Sequence, residues 1–206
     1  MLSSLLVFFF LPWVQSNVAV DLYVMSQCPD ALLCEHVFSS VLKQVGALVD
    51  LKVNYVGVSE IGNEPQCKHG SMECLLNKQQ LCAQALYPES FFNFILCQNE
   101  NIRKDTMLQC AQELDYDFDE LADCVDNEGS SKLLQSAKES AAANVKTSCS
   151  IFFNKKKRCV HDGSWYDCPL GYSVSDFVNS ICELATEELG HEPAECLELK
   201  LQSDLK

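Results

Sequence analysis

Val18-Ala-Val-Asp-Leu-Tyr-Val-Met-Ser-Gln-Cys-Pro-Asp-Ala-Leu-Leu-Cys34 changes its periodicity halfway along, and the architecture follows from that change. Its first eight residues, Val18–Met25, are rich in β-formers and predict a first strand. A helix is predicted to begin where the strand ends. Pro29 suits the first helical position, where a missing N–H costs nothing, and Asp30 suits the acid-favouring first turn. Cys34, Val37, Phe38, Val41, Leu42 and Val45 then recur at helical spacing until Gly46 ends the pattern. From Val49 to Val58, Leu51, Val53 and Tyr55 alternate with Lys52 and Asn54, which predicts a second strand.

Strand, cysteine-bearing helix start and strand together look like the opening of a thioredoxin-like βαβ unit. From Ser71 to about Asn144 the chain reads as helical. Helices are expected at Met72 to Leu86, Glu89 to Gln98, Asp105 to Leu114, Asp117 to Asp126 and Ser131 to Ala143, with Asp105 and Asp117 as caps and Pro88 as a break. This is the place of a helical insertion in thioredoxin-like oxidoreductases. Ser150-Ile-Phe-Phe153, a turn at Asn154 to Lys157, and Arg158-Cys-Val-His161 predict a β-hairpin, and Val174 to Leu189 the closing helix. The sequence contains no internal repeat and no low-complexity linker, and a single domain over residues 17–206 is expected.

Composition narrows the setting. Met1 to Ser16 has an apolar run, Leu5 to Val14, then small or polar residues, as a secretory signal peptide does, although Lys and Arg are missing ahead of the run. That run is too short to span a bilayer, so no stable membrane insertion is expected. Thirteen cysteines imply an oxidising compartment and a disulfide-rich α/β domain. Because thirteen is odd, at least one cysteine is free, paired with another molecule, or chemically active. A formal charge of −14 argues against nucleic-acid and anionic-membrane partners, since phosphate contacts need surplus Lys and Arg. The one basic cluster, Lys155-Lys-Lys-Arg158, reads as a solvated turn, and no Asn-x-Ser/Thr sequon occurs.

Cys67-Lys-His-Gly-Ser-Met-Glu-Cys-Leu-Leu-Asn-Lys-Gln-Gln-Leu-Cys82 fits the pattern C-x-H-G-x2-E-C-x2-N-x4-C. Its fixed positions, Cys67, His69, Gly70, Glu73, Cys74, Asn77 and Cys82, resemble the signature of the gamma-interferon-inducible lysosomal thiol reductase (GILT) family. Lys68 stands where that family usually has Gln. Further resemblance appears at Cys97, at Asp105-Thr-Met-Leu-Gln-Cys110, at Cys124 with Gly129 and at Cys182 with Cys196. The resemblance implies a thioredoxin-like fold with a helical insertion. It also implies thiol–disulfide exchange on disulfide-bonded protein substrates, in a secreted or a lysosomal or vacuolar setting. No cofactor is implied beyond a small thiol reductant such as glutathione or cysteine. Oligomeric state is not written in the sequence.

In the family the segment at Cys28 is a Cys-x-x-Cys pair, whose second thiol expels the substrate from the mixed disulfide. Here the segment is Cys28-Pro29-Asp30-Ala31, and Ala31 cannot attack anything. Three readings stay open. Cys28 acts alone as a monothiol nucleophile, with a small thiol resolving the intermediate; Cys34 resolves in place of residue 31; or Cys28 is structural. The Cys34 reading needs an unwound first turn, because six residues of helix separate Cα atoms by about 9 Å and disulfides rarely exceed about 7 Å. A thiol at a helix start is favoured as thiolate by free N–H groups and the helix dipole, whereas Asp30 opposes it.

Thioredoxin-like enzymes place a cis-proline before the strand that faces the nucleophile, and backbone groups there bind the substrate peptide. The segment Lys146-Thr-Ser-Cys-Ser-Ile-Phe-Phe-Asn154 occupies that place without a proline, so Ser148 and Cys149 become the candidate substrate-binding residues. Cys28 and Cys149 are accordingly expected to face one another and to be able to pair. Cys74 and Cys82, two helical turns apart, are expected to tie their helix to other elements. A zinc site from Cys67, His69 and Cys74 has the right residue types but no standard spacing, and none is assigned. His69 with Glu73 reads as an acid–base pair or as a hydrogen-bonded loop. Connectivity is not deducible from sequence; Cys97 with Cys110, Cys159 with Cys168 and Cys182 with Cys196 are the local bridges expected, with Trp165 and Tyr166 packed against the second.

Overall fold

The computed structural model describes residues 17–204, so the expected signal peptide lies outside the described residues. Strand β1 (Val18–Val24) leads into helix α1 (Pro29–Val45), a 3-10 turn at Gly46–Leu48, and strand β2 (Val49–Tyr55). After a hairpin of β3 (Val58–Ile61) and β4 (Glu64–Cys67) come the insertion helices α2 (Ser71–Leu86), α3 (Phe91–Asn99), α4 (Met107–Glu113), α5 (Phe118–Asn127) and α6 (Gly129–Ala142). Strands β5 (Ser150–Phe153), β6 (Lys156–His161) and β7 (Trp165–Tyr166) follow, then helices α7 (Val174–Leu189) and α8 (Ala194–Asp204). The main sheet runs β2-β1-β5-β6-β7, with β1 parallel to β2 and antiparallel to β5. This is the thioredoxin-like α/β fold with a helical insertion that the sequence predicts, closed by six disulfides.

Alternation along β1 decides what packs where. Val18, Val20, Leu22 and Val24 are all buried, and Val20 lies opposite Phe153, whose ring meets Phe38 of α1 and Phe177 of α7. Tyr23 points to the other face and packs edge-on against Phe152. The free edge of β2 is closed by side chains: Gln84 of α2 bonds both N–H and carbonyl of Val53, Ser136 of α6 accepts from Tyr55 N, and Ser140 donates to Tyr55 O. The insertion thereby covers an edge that is otherwise open to pairing with another chain.

Several element boundaries differ from the sequence reading. The second strand stops at Tyr55, and Val58 starts the separate β3–β4 hairpin, which turns at Gly62-Asn63 with positive φ at both residues. Helix α3 begins at Phe91, α4 at Met107 and α6 at Gly129. Asp117 caps α5 as expected, whereas Asp105 accepts from Met107 N one position outside the assigned cap, Thr106. Strand β7 and helix α8 are elements that periodicity did not reveal. The basic cluster is only partly a solvated turn. Asn154 and Lys155 form the turn, both with positive φ, but Arg158 is buried. Its guanidinium donates to the carbonyls of Leu170 and Gly171 and to Ser180 Oγ, and it lies 4.9 Å from the Phe177 ring centroid.

Glu35 is the costly member of the core. It is fully buried on α1; Oε2 accepts from Asn99 at 2.7 Å, while Oε1 has no partner among the described residues. Desolvation, only partly offset by the Asn99 hydrogen bond, pushes this carboxyl up to about 8 from an ordinary 4.5. The folded state then holds a proton that the unfolded chain releases, so stability falls as pH rises from about 4.5 to about 8. Glu35→Gln is expected to flatten the pH dependence of urea unfolding across that window and to stabilise the protein at neutral pH by on the order of a few kcal/mol. An unchanged pH profile would rule this out. In the same assay Phe38→Ala, at the centre of the ring cluster, is expected to cost about 3–5 kcal/mol. Leu33→Ala, on the outer side of the same helix and 42% exposed, should stay within about 0.5 kcal/mol.

Candidate active site

Cys28 sits where β1 hands over to α1. It is the N-cap residue, with extended φ and ψ of −93° and 124°, and Pro29 occupies the first turn. Its N–H is bonded to Met25 O, and its carbonyl accepts from Ala31 and Leu32, so the backbone of the turn is occupied and the thiol is left at the helix end. Among the thirteen cysteines Cys28 alone is free, and it is 7% exposed. The sulfur lies 3.9 Å from Asp30 Oδ2 and 3.9 Å from Ser148 O.

The segment before β5 faces this thiol. Ser148 Oγ accepts from Met25 N, which docks the segment onto the end of β1. The Ser148–Cys149 peptide is cis. The expected pairing of Cys28 with Cys149 is corrected: Cys149 is bonded to Cys34, with Cα atoms 6.3 Å apart and both residues fully buried. Cys34 projects from the inward stripe of α1, six residues or about 1.7 turns beyond Cys28, and meets the incoming segment there. It therefore has no thiol with which to resolve a mixed disulfide at Cys28. Of the two residues expected to bind substrate, Ser148 keeps its carbonyl facing the Cys28 sulfur, whereas the backbone of Cys149 is already engaged. Cys149 N–H and C=O are already bonded to His161 in the ladder with β6, and both side chains are buried.

His161 is the site residue that sequence reasoning missed. Its Nδ1 lies 2.6 Å from Asp30 Oδ1 as an ionic contact without hydrogen-bond geometry, while Gly163 N donates to the same oxygen at 2.8 Å. Trp165 meets the His161 ring edge-on at 4.8 Å. A strict hairpin register from the Asn154 turn would set Val160 opposite Cys149. The bulge between Ile151 and Phe152 absorbs Arg158 and brings His161 there instead. The signal available in sequence was the register itself.

The Cys67 to Cys82 motif supports this site from behind. Cys67 is bonded to Cys74 and Cys82 to Cys124, so Cys74 and Cys82 do tie α2 to other elements, and Cys67 and Cys74 have no thiolates to offer zinc. Glu73, fully buried in the first turn of α2, reaches back to His69 N at 3.1 Å and to His69 Nδ1 at 2.5 Å, which makes the pair a structural clasp. Gly70 takes φ of 101°, a conformation that favours glycine. Asn77 Oδ1 accepts from Ser26 N and the Glu73 carbonyl from Ser26 Oγ, two residues ahead of Cys28. The motif thus holds the loop that aims the thiol. The three local bridges, Cys97–Cys110, Cys159–Cys168 and Cys182–Cys196, are present.

Residues 19–114 match the family model described as Gamma interferon inducible lysosomal thiol reductase (GILT). A curated relative, GILT-like protein C02D5.2 of Caenorhabditis elegans, is 26% identical over 59% of this chain, and the chain spans only 41% of that protein's length. Among solved structures, a putative protein disulfide isomerase from Nitrosomonas europaea superposes with a TM-score of 0.59 at 9% identity, covering 84% of this chain and 99% of that one. BdbD from Bacillus subtilis, in its oxidised form, gives 0.58 at 16% identity, covering 82% and 88%. At such identities these structures speak for the fold alone. Residues 19–114, carried on a thioredoxin-like α/β fold, are thus similar to the gamma interferon inducible lysosomal thiol reductases.

Proposed function

We propose that the protein is a thiol–disulfide oxidoreductase in which Cys28 works as a single nucleophile on disulfide-bonded protein substrates. The observation that carries this reading is the cysteine count: twelve are paired and the thirteenth is the thiol at the start of α1. The Cys28 thiolate attacks one sulfur of a substrate disulfide; the S–S bond breaks, and the other substrate sulfur leaves with the electron pair and takes a proton from water. A small thiol of the glutathione or cysteine class attacks the mixed disulfide at Cys28 and releases the second substrate thiol. A second small thiol then frees Cys28. The balance is one substrate disulfide reduced and two small thiols oxidised to their disulfide. Six disulfides suit an oxidising compartment, so the reaction is assigned to the secretory route, ending outside the cell or in a lysosome or vacuole.

One observation favours a second reading, a redox-inactive binding module: Ala31 stands where the resolving thiol belongs, and Cys34 is bonded to Cys149. Insulin reduction with glutathione or cysteine, at acid and neutral pH, separates the two. The oxidoreductase reading expects turnover above the buffer blank, first order in small thiol, and abolished by Cys28→Ser. Activity equal to the blank would instead support the binding module. Ala31→Cys, which restores the two-thiol spacing, is expected to make release of the substrate nearly independent of small-thiol concentration.

A further inference from the structure

We infer that His161 is a positioning residue for the Cys28 thiolate and acts on it through Asp30. The inference rests on the reading of Cys28 as the nucleophile. Three groups stand in line: Cys28 Sγ, Asp30 Oδ2 at 3.9 Å, and, from the other carboxylate oxygen, His161 Nδ1 at 2.6 Å. Asp30 is pinned, because Oδ1 also accepts from Gly163 N at 2.8 Å, so Oδ2 stays turned toward the sulfur. His161 is pinned too, by its two backbone bonds to Cys149 and by the Trp165 ring, and it is 8% exposed.

Such an arrangement makes the charge on Asp30 decisive. With a neutral imidazole, the carboxylate faces the sulfur alone, accepts from the S–H and repels a thiolate. A proton on His161 pairs with that carboxylate, and the thiolate forms beside a neutral couple after the thiol proton has left to water. The groups around His161 leave this role to Asp30. From β7 and the 171–173 segment come the rings of Trp165 and the stacked Tyr172, and from the β5 side come the Cys149 backbone groups. On β6 itself, Arg158 is committed to the carbonyls of Leu170 and Gly171, and Lys157 to Asp167. The neighbouring Asp162 is held by its backbone bond to Ser164.

The test is the rate of Cys28 alkylation by iodoacetamide in the folded full chain from acid to neutral pH, for the parent, His161→Gln, Asp30→Asn and the double variant. Alkylation reads the thiol whether or not insulin is reduced, so failure of the reductase reading and failure of this inference are distinguishable. His161→Gln is expected to slow alkylation at acid pH by about tenfold and Asp30→Asn to speed it near neutrality by about tenfold, as expected for one neighbouring charge. The double variant should match Asp30→Asn, because His161 then has nothing to act through. A His161→Gln profile identical to the parent, or an equal slowing in the Asp30→Asn background, would overturn the inference. Should His161→Gln fail to fold, Asp30→Asn, at a side chain 22% exposed, decides alone: faster alkylation near neutrality with the acid-side rate retained supports the inference, and an unaltered profile ends it.

Discussion

A bond between Cys34 and Cys149 holds the second turn of α1 against the segment that enters β5, and the site is arranged around that contact. The sequence separation is 115 residues, so closing this loop removes more unfolded-state freedom than any other bridge in the chain. Loop entropy alone assigns about 4–5 kcal/mol to a loop of this size. The three bridges nested inside it, Cys67–Cys74, Cys82–Cys124 and Cys97–Cys110, already remove part of that freedom. What the bond adds locally is position. With Cys34 fixed, the start of α1 is held in front of Ser148, and the one remaining thiol sits at the joint.

The sulfur atoms therefore divide into two kinds. Twelve staple elements together: α1 to the segment before β5, β4 to α2, α2 to α5, α3 to α4, β6 to the segment after β7, and α7 to α8. The thirteenth lies at the margin of the hydrophobic core, with a carboxylate and a carbonyl at 3.9 Å each. Three residues after Cys28 stands buried Ala31, so the first turn of α1 offers Cys28 no second thiol. The family motif lies one layer behind, where Asn77 and Glu73 hold Ser26 and thereby the exit of β1.

Much of the frame was legible from residues alone, because β1, α1, the β5–β6 hairpin and α7 carry clear periodicity and end signals. Helix α7 spans the expected Val174–Leu189; a capping box between Ser173 and Asp176 starts it, and Gly190 in the left-handed conformation ends it. The β3–β4 hairpin escaped notice because Glu64-Pro-Gln-Cys67 has a proline and no apolar alternation. Pairing with β3 and the bond to Cys74 hold it in place. Helix α8 has little amphipathic pattern and depends on the Cys182–Cys196 bridge. Local bridges could be named because their partners are close in sequence. Cys34–Cys149 could not, since it depends on where α1 meets a distant strand. His161 was hidden by one residue of register, the bulge that turns Arg158 inward.

The most direct measurement of the central claim is peptide mapping by mass spectrometry of the native protein, alkylated without reduction. The account predicts a single alkylated cysteine, Cys28, and a cross-linked peptide joining Cys34 to Cys149. A bridge from Cys28 to any other cysteine, or an alkylated Cys34 or Cys149, would contradict it.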